Sequence, residues 1–233
     1  MNQANETTNF PKNSKQQKAI KKSTFSDFNF IAPYYDFLQK LVFGNALQKA
    51  QSFYLKDFPD SKKVLIIGGG SGEILKSISD VLNSDRVVFV EQSENMIAKA
   101  KKRKVDIKDL DFVCENVLEW KSTEKFDLVI LPFILDCFST DTTIQLLQNL
   151  KDILAENGRV LFTDFVQTPN KRGLSKLLIS VMYFFFGMTA KLKTRKLPDF
   201  DLAFERAGYE NIKKNYFVKQ LVQSRVYKIN IME

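Results

Sequence analysis

The sequence predicts a doubly wound α/β fold: a mostly parallel, seven-stranded sheet that ends in an antiparallel C-terminal hairpin. Three observations carry this expectation. Short apolar runs rich in β-branched residues recur at 64–67, 87–90, 111–114, 128–131 and 159–164, as buried parallel strands do. Longer stretches of helical periodicity separate them at 72–82, 95–104 and 142–154, the lengths that parallel crossovers need. A cluster of glycines follows the first run directly. Glu156, Asn157 and Gly158 read as the stop of the third helix. A helix near 200–207 with a stop at Gly208, and two strand-like stretches at 212–217 and 222–231, complete the pattern.

A chain of 233 residues with 44% hydrophobic residues suits one domain with a large core. Residues 1–25 are polar and basic and read as a disordered tail, because so few apolar residues cannot offset the entropy of ordering. They lack the apolar centre of a cleavable export signal. Residues 26–233 form the single domain, divided into cap helices at 28–58, a core at 64–168, an insertion at 169–198, and the final helix and hairpin at 199–233. In the cap, Tyr34, Tyr35, Phe37, Leu38, Leu41 and Val42 recur at helical spacing and suggest one or two amphipathic helices.

The formal charge is +8, but Lys12, Lys15, Lys18, Lys21 and Lys22 against Glu6 place about half of it in the tail. The folded part is only mildly basic, which argues against a nucleic-acid partner. Cys114 and Cys137 are the only cysteines, in separate apolar segments, so neither a disulfide framework nor a zinc cluster is expected. The expected compartment is reducing and cytoplasmic.

Val64, Leu65, Ile66 and Ile67 run straight into Gly68, Gly69, Gly70, Ser71 and Gly72. Such a turn lets a ligand approach the main chain ahead of a helix whose first N–H groups are unpaired. The next run delivers Glu91 about twenty residues further on, where a carboxylate can accept from both hydroxyls of a ribose. A nucleoside ligand follows. The dinucleotide fingerprint started at Gly68 would need glycine where Glu73 stands, and a carboxylate there would repel a pyrophosphate.

VLIIGGGSG, VEQSENMIAKAKKR, FVCENVLEW, FDLVILPFILDCF and LKDILAENGRVLFTDF, in this order, resemble class I S-adenosylmethionine-dependent methyltransferases over about residues 28–231. The ubiquinone/menaquinone C-methyltransferase-like group is the nearest in character, since Ala32, Pro33, Tyr34, Tyr35 and Asp36 match its segment ahead of the first strand. The resemblance implies a Rossmann-like methyltransferase fold and S-adenosyl-L-methionine as cofactor. It implies that Gly68, Gly70 and Gly72 contact the methionine part, Glu91 the ribose and Met96 the adenine face, with Asn116, Val117 and Leu131 completing the set. Two positions depart from the family: Ile66 stands where an acid is common before the glycines, and Asn116 where Asp is usual.

Methyl transfer needs alignment and, for a weak nucleophile, removal of a proton. The chain has no histidine. Asp136, beyond the fourth strand, is therefore the first candidate for a base or substrate contact, followed by Tyr34, Tyr35 and Asp164. Cys137 reads as a buried thiol. The stretch Leu131, Pro132, Phe133 lacks the amide or acid followed by two prolines that adenine amino-methyltransferases use.

Residues 174–188, LSKLLISVMYFFFGM, are too few to cross a bilayer, which takes about 20 apolar residues. They read as a lid that encloses, with the cap, an apolar chamber for a small, partly apolar substrate such as a quinone-like or lipid-soluble molecule. The basic flanks are compatible with peripheral contact at the inner membrane surface. A non-catalytic module that uses this fold to bind nucleic acid or membrane, and a nicotinamide-dependent oxidoreductase, are the other classes considered.

Overall fold

A computed structural model describes residues 45–166 and 197–230. Twelve regular elements follow in order: α1 (Ala46–Ser52), β1 (Lys63–Ile67), α2 (Glu73–Val81), β2 (Arg86–Val90), α3 (Glu94–Ala100), β3 (Leu110–Val113), β4 (Phe126–Pro132), α4 (Thr140–Lys151), β5 (Leu154–Phe165), α5 (Phe200–Arg206), β6 (Tyr209–Phe217) and β7 (Val222–Ile229). Short 3-10 turns lie at Leu55–Asp57 and Leu135–Cys137.

The seven strands form one sheet in the order β3-β2-β1-β4-β5-β7-β6. Strands β1 to β5 are parallel to their neighbours, while β7 is antiparallel to both β5 and β6. The chain winds outward from β1 through β2 to β3, then crosses to the other side of β1 for β4 and β5. This reversal opens a crevice at the carboxyl ends of β1 and β4, the place where such sheets bind ligands.

Burial on both faces explains the uninterrupted apolar runs. Alternate residues Leu65, Ile67, Val88, Val90, Val129, Leu131, Val160 and Phe162 face one way and pack with Leu146, Leu147 and Leu150 of α4 and Ala203 and Phe204 of α5. Val64, Ile66, Val87, Phe89, Leu128 and Ile130 face the other way, against Ile74, Leu75 and Ile78 of α2 and Ala100 of α3. Aromatic rings lock α5 onto the sheet: Phe162 lies 4.9 Å from Phe200 and 5.2 Å from Phe204, and Phe204 stacks on Tyr227 at 3.7 Å. The Tyr209 hydroxyl donates to the Leu147 carbonyl at 2.9 Å and ties β6 to α4.

The predicted fold class holds, with local corrections. The third helix ends at Lys151, and Leu154 begins β5. Phe126 pairs with Leu154, and pairing resumes only at Leu128 with Arg159. Glu156, Asn157 and Gly158 thus belong to an excursion within a strand rather than to a helix stop. Leu154 is 3% exposed, and apolar burial beside Phe126 outweighs its helical periodicity. Helix α3 stops at Ala100 instead of running to residue 104. Gly208 does adopt the left-handed conformation expected of a stop, at φ 74°. Of the predicted cap, α1 and the 3-10 turn at Leu55–Asp57 are described, whereas residues 28–44, the tail and nearly all of the 169–198 insertion fall outside the described residues.

Phe162 is fully buried at the centre of the aromatic group. Phe162→Ala is expected to lower the free energy of unfolding by about 3–5 kcal/mol, the usual cost of deleting a buried aromatic ring; urea denaturation measures it.

Candidate active site

Strand β1 ends in a turn whose Gly68, Gly70 and Gly72 all have left-handed backbones, at φ 67°, 57° and 77°. The Gly68 amide donates to the Val90 carbonyl at 2.8 Å and holds the turn to the end of β2. At Gly70 a side chain would be strained by the backbone, yet no atom lies within 4 Å of where its Cβ would stand. This main chain therefore faces open space, as a cradle for a ligand does.

Glu91 lies immediately beyond β2. Its Oε2 accepts from the Gly70 amide at 3.0 Å and its Oε1 from the Ser93 amide at 2.9 Å. Burial pushes its carboxyl up from the usual carboxylate range, while the amides of Ser93 and Gly70 pull it down. The acid, fixed by two amides, stands beside the open glycine. A backbone cradle next to an oriented carboxylate fits the amino-acid and ribose parts of a nucleoside cofactor. Glu73, the obstacle to a dinucleotide, is committed to Arg103, whose Nη2 donates to its Oε1 at 2.6 Å.

The other expected cofactor residues occupy different settings. Met96 is 5% exposed on α3, and its amide donates to the Ser93 hydroxyl, the cap of that helix, at 3.3 Å. Asn116 is half-buried, and its Oδ1 accepts from the Leu118 amide at 3.0 Å. Val117 is half-buried against the core on the α4 side, and Leu131 is wholly buried within it. Tyr34 and Tyr35 lie outside the described residues.

The sheet brings Asp136 and Asp164 together. Asp164 is fully buried at the end of β5. Its Oδ1 accepts from the Phe165 amide at 2.8 Å and its Oδ2 from the Asp136 amide at 3.2 Å. Each Asp164 oxygen thus accepts a backbone amide, and the second ties the loop after β4 to the end of β5. Asp136 is half-buried, and burial pushes its carboxyl up to about 7, against the opposing pull of the Cys137 thiol at 3.5 Å. Cys137, expected as a buried thiol, is half-buried, and burial with Asp136 and Asp164 nearby pushes its thiol up as well.

Several residues that shape the site carry no mark in the sequence. Phe133 takes a left-handed backbone at φ 54°, an outlier for a bulky side chain, and its amide donates to the Thr163 carbonyl at 2.7 Å. The kink sends Ile134 onto Gly68 and the Phe133 ring toward Phe165, at 5.3 Å. Phe133, Phe165, Phe217 and Val218 form a half-buried apolar group with Leu47 and Ala50 of α1. Arg103, within a run of four cations, reaches the glycine turn.

A carboxyl raised by folding stabilises the protein fully below its unfolded value of 3.8 and loses that contribution as pH rises through about 7. Asp136→Asn is expected to become progressively more stable than the parent as pH rises through this interval. Urea denaturation across the interval measures it, and a constant difference would contradict the raised carboxyl.

Residues 65–160 match the family described as a methyltransferase domain. The chain is 29% identical over 144 residues to the ribosomal protein L11 methyltransferase of Fusobacterium nucleatum subsp. nucleatum, a match that takes in 58% of this chain and 44% of that protein. It is 27% identical over 150 residues to the malonyl-[acyl-carrier protein] O-methyltransferase of Bacillus anthracis, covering 60% of this chain and 51% of that one. The chain thus spans about half the length of the curated relatives it matches. In structure it superposes on the DhpI-SAM-HEP complex with a TM-score of 0.64 at 15% identity, over 92% of this chain and 97% of that one. The glycine turn, the acid after β2 and the sheet order agree with these matches: residues 65–160 are similar to a methyltransferase domain, and the fold is that of Rossmann-like methyltransferases.

Proposed function

We propose that this chain transfers a methyl group from S-adenosylmethionine to a small, partly apolar acceptor, with Asp136 taking the proton that the acceptor gives up. The observation that carries this reading is the open main chain at Gly70 held 3.0 Å from the Glu91 carboxylate. When bound, S-adenosylmethionine supplies a methyl group activated by its sulfonium charge. The turn 68–72 binds the amino-acid part and Glu91 the ribose hydroxyls. Asp136, raised toward neutrality by burial, is matched to removing a proton near pH 7. Asp164 keeps the Asp136 backbone in place through the Oδ2 contact.

The half-buried rings of Phe133, Phe165 and Phe217 at the same end of the sheet favour an apolar acceptor, because a ring seated there removes hydrocarbon surface from water. A quinol or another lipid-soluble ring is the first class to test. The names of the two curated relatives specify a ribosomal protein and a malonyl carrier protein, so both classes belong beside it as comparisons. Among the described residues no helix is long and apolar enough to cross a membrane; contact with an anionic membrane surface through the basic flanks of residues 174–188 is part of the proposal.

Calorimetric titration tests the reading directly. The protein is expected to bind S-adenosylmethionine and S-adenosylhomocysteine and to leave NADH unbound; the reverse pattern would overturn it. Glu91→Ala should weaken both by about 1.5–3 kcal/mol, the range for hydrogen bonds to a charged group, and an unchanged affinity would remove Glu91 from the site. Asp136→Asn should lower kcat by roughly 10²–10⁴-fold while S-adenosylhomocysteine affinity stays the same. A loss confined to affinity would place Asp136 in binding instead.

A further inference from the structure

The guanidinium of Arg103 clasps the glycine turn from outside. Its Nε donates to the Ser71 carbonyl at 2.9 Å, and its Nη2 donates to the Ser71 hydroxyl at 3.3 Å and to Glu73 Oε1 at 2.6 Å. Ser71 is 3% exposed and the Arg103 and Glu73 side chains are partly buried, so these charge-assisted hydrogen bonds are partly shielded from water and keep more of their strength. From inside, the Gly72 amide donates to the Gly69 carbonyl at 3.1 Å and closes the turn. The peptide between Ser71 and Gly72 is therefore held from both sides.

Helix α3 gives the clasp its reach. At one end the Ser93 hydroxyl accepts from the Met96 amide, while the Ser93 amide donates to Glu91. At the other end Ala100, 1% exposed, packs so close to Gly72 that a Cβ there would stand 2.8 Å from its own Cβ. Arg103 follows three residues later. Seven residues of helix span about 10 Å, and this strut fixes the acid after β2 and the turn after β1 relative to each other. Strand β1 offers no such support, because Ile66 is wholly buried in the apolar core.

We propose that Arg103 is a positioning residue that sets the 70–72 main chain for the amino-acid part of S-adenosylmethionine, through Ser71 and Glu73. This rests on the reading of the turn as the cofactor cradle. The planar fork of arginine presents Nε and Nη2 to adjacent acceptors at once, a geometry that lysine does not reproduce. The role is confined to one half of the cofactor, since the adenosine half is held by Glu91 and the residues beyond it.

Calorimetry of the full chain with S-adenosylhomocysteine and with 5′-methylthioadenosine, which lacks the amino-acid part, tests the inference. Arg103→Ala should raise the Kd for S-adenosylhomocysteine about tenfold and leave that for 5′-methylthioadenosine unchanged. Arg103→Lys should fail to restore it. Glu73→Ala, which leaves Arg103 its Ser71 contacts, should give the same selective change at about threefold, and it keeps the test open if the arginine variants do not fold. Unchanged affinity for both ligands, or equal loss of both, would overturn the positioning role. Failure of the unaltered chain to bind S-adenosylhomocysteine would instead overturn the cofactor reading and this inference with it.

Discussion

Where β1 and β2 end side by side, one carboxylate accepts backbone N–H groups from two different segments. Glu91 holds Gly70 through one oxygen and Ser93 through the other, so the glycine turn and the start of α3 cannot move independently. The arrangement needs β1 and β2 in register, which the pairing of Ile67 with Val90 provides. It also needs burial, because a carboxylate in water would exchange these amides for solvent. The two-sided apolar packing of the sheet is thus a condition for the polar geometry at its end.

The second half of the site is built by a similar device in a different place. Asp164 gives up its oxygens to the amides of Phe165 and Asp136 and so converts the loop after β4 into a fixed feature. A buried acid used in this way rigidifies the main chain, and its own carboxyl is pushed well up by burial and by Asp136.

How much of this was legible in the sequence depends on the physical origin of each feature. Strands β1, β2 and β4 were readable because burial on both faces demands continuous apolar runs, and the turn at Gly68, Gly70 and Gly72 because left-handed backbones restrict residue type. The end of α4 was misread: Leu154 fits a helix by period, and only its pairing with Phe126 makes it strand. Arg103 was hidden for another reason. Four cations in a row look like a solvated surface, and which one turns inward is decided by where α3 stops. Asp164 was visible as an acid near the site, but its role depends on contacts with Phe165 and Asp136 that spacing does not encode.

Phe133 has the further property that its backbone and its side chain ask for different amino acids. A left-handed φ of 54° suits glycine or asparagine and costs a bulky residue of order 1 kcal/mol or more, whereas the contact with Phe165 needs the ring. Under drift toward greater stability, position 133 would lose its aromatic side chain. Its presence marks a point at which the fold tolerates tension in exchange for the ring contact with Phe165.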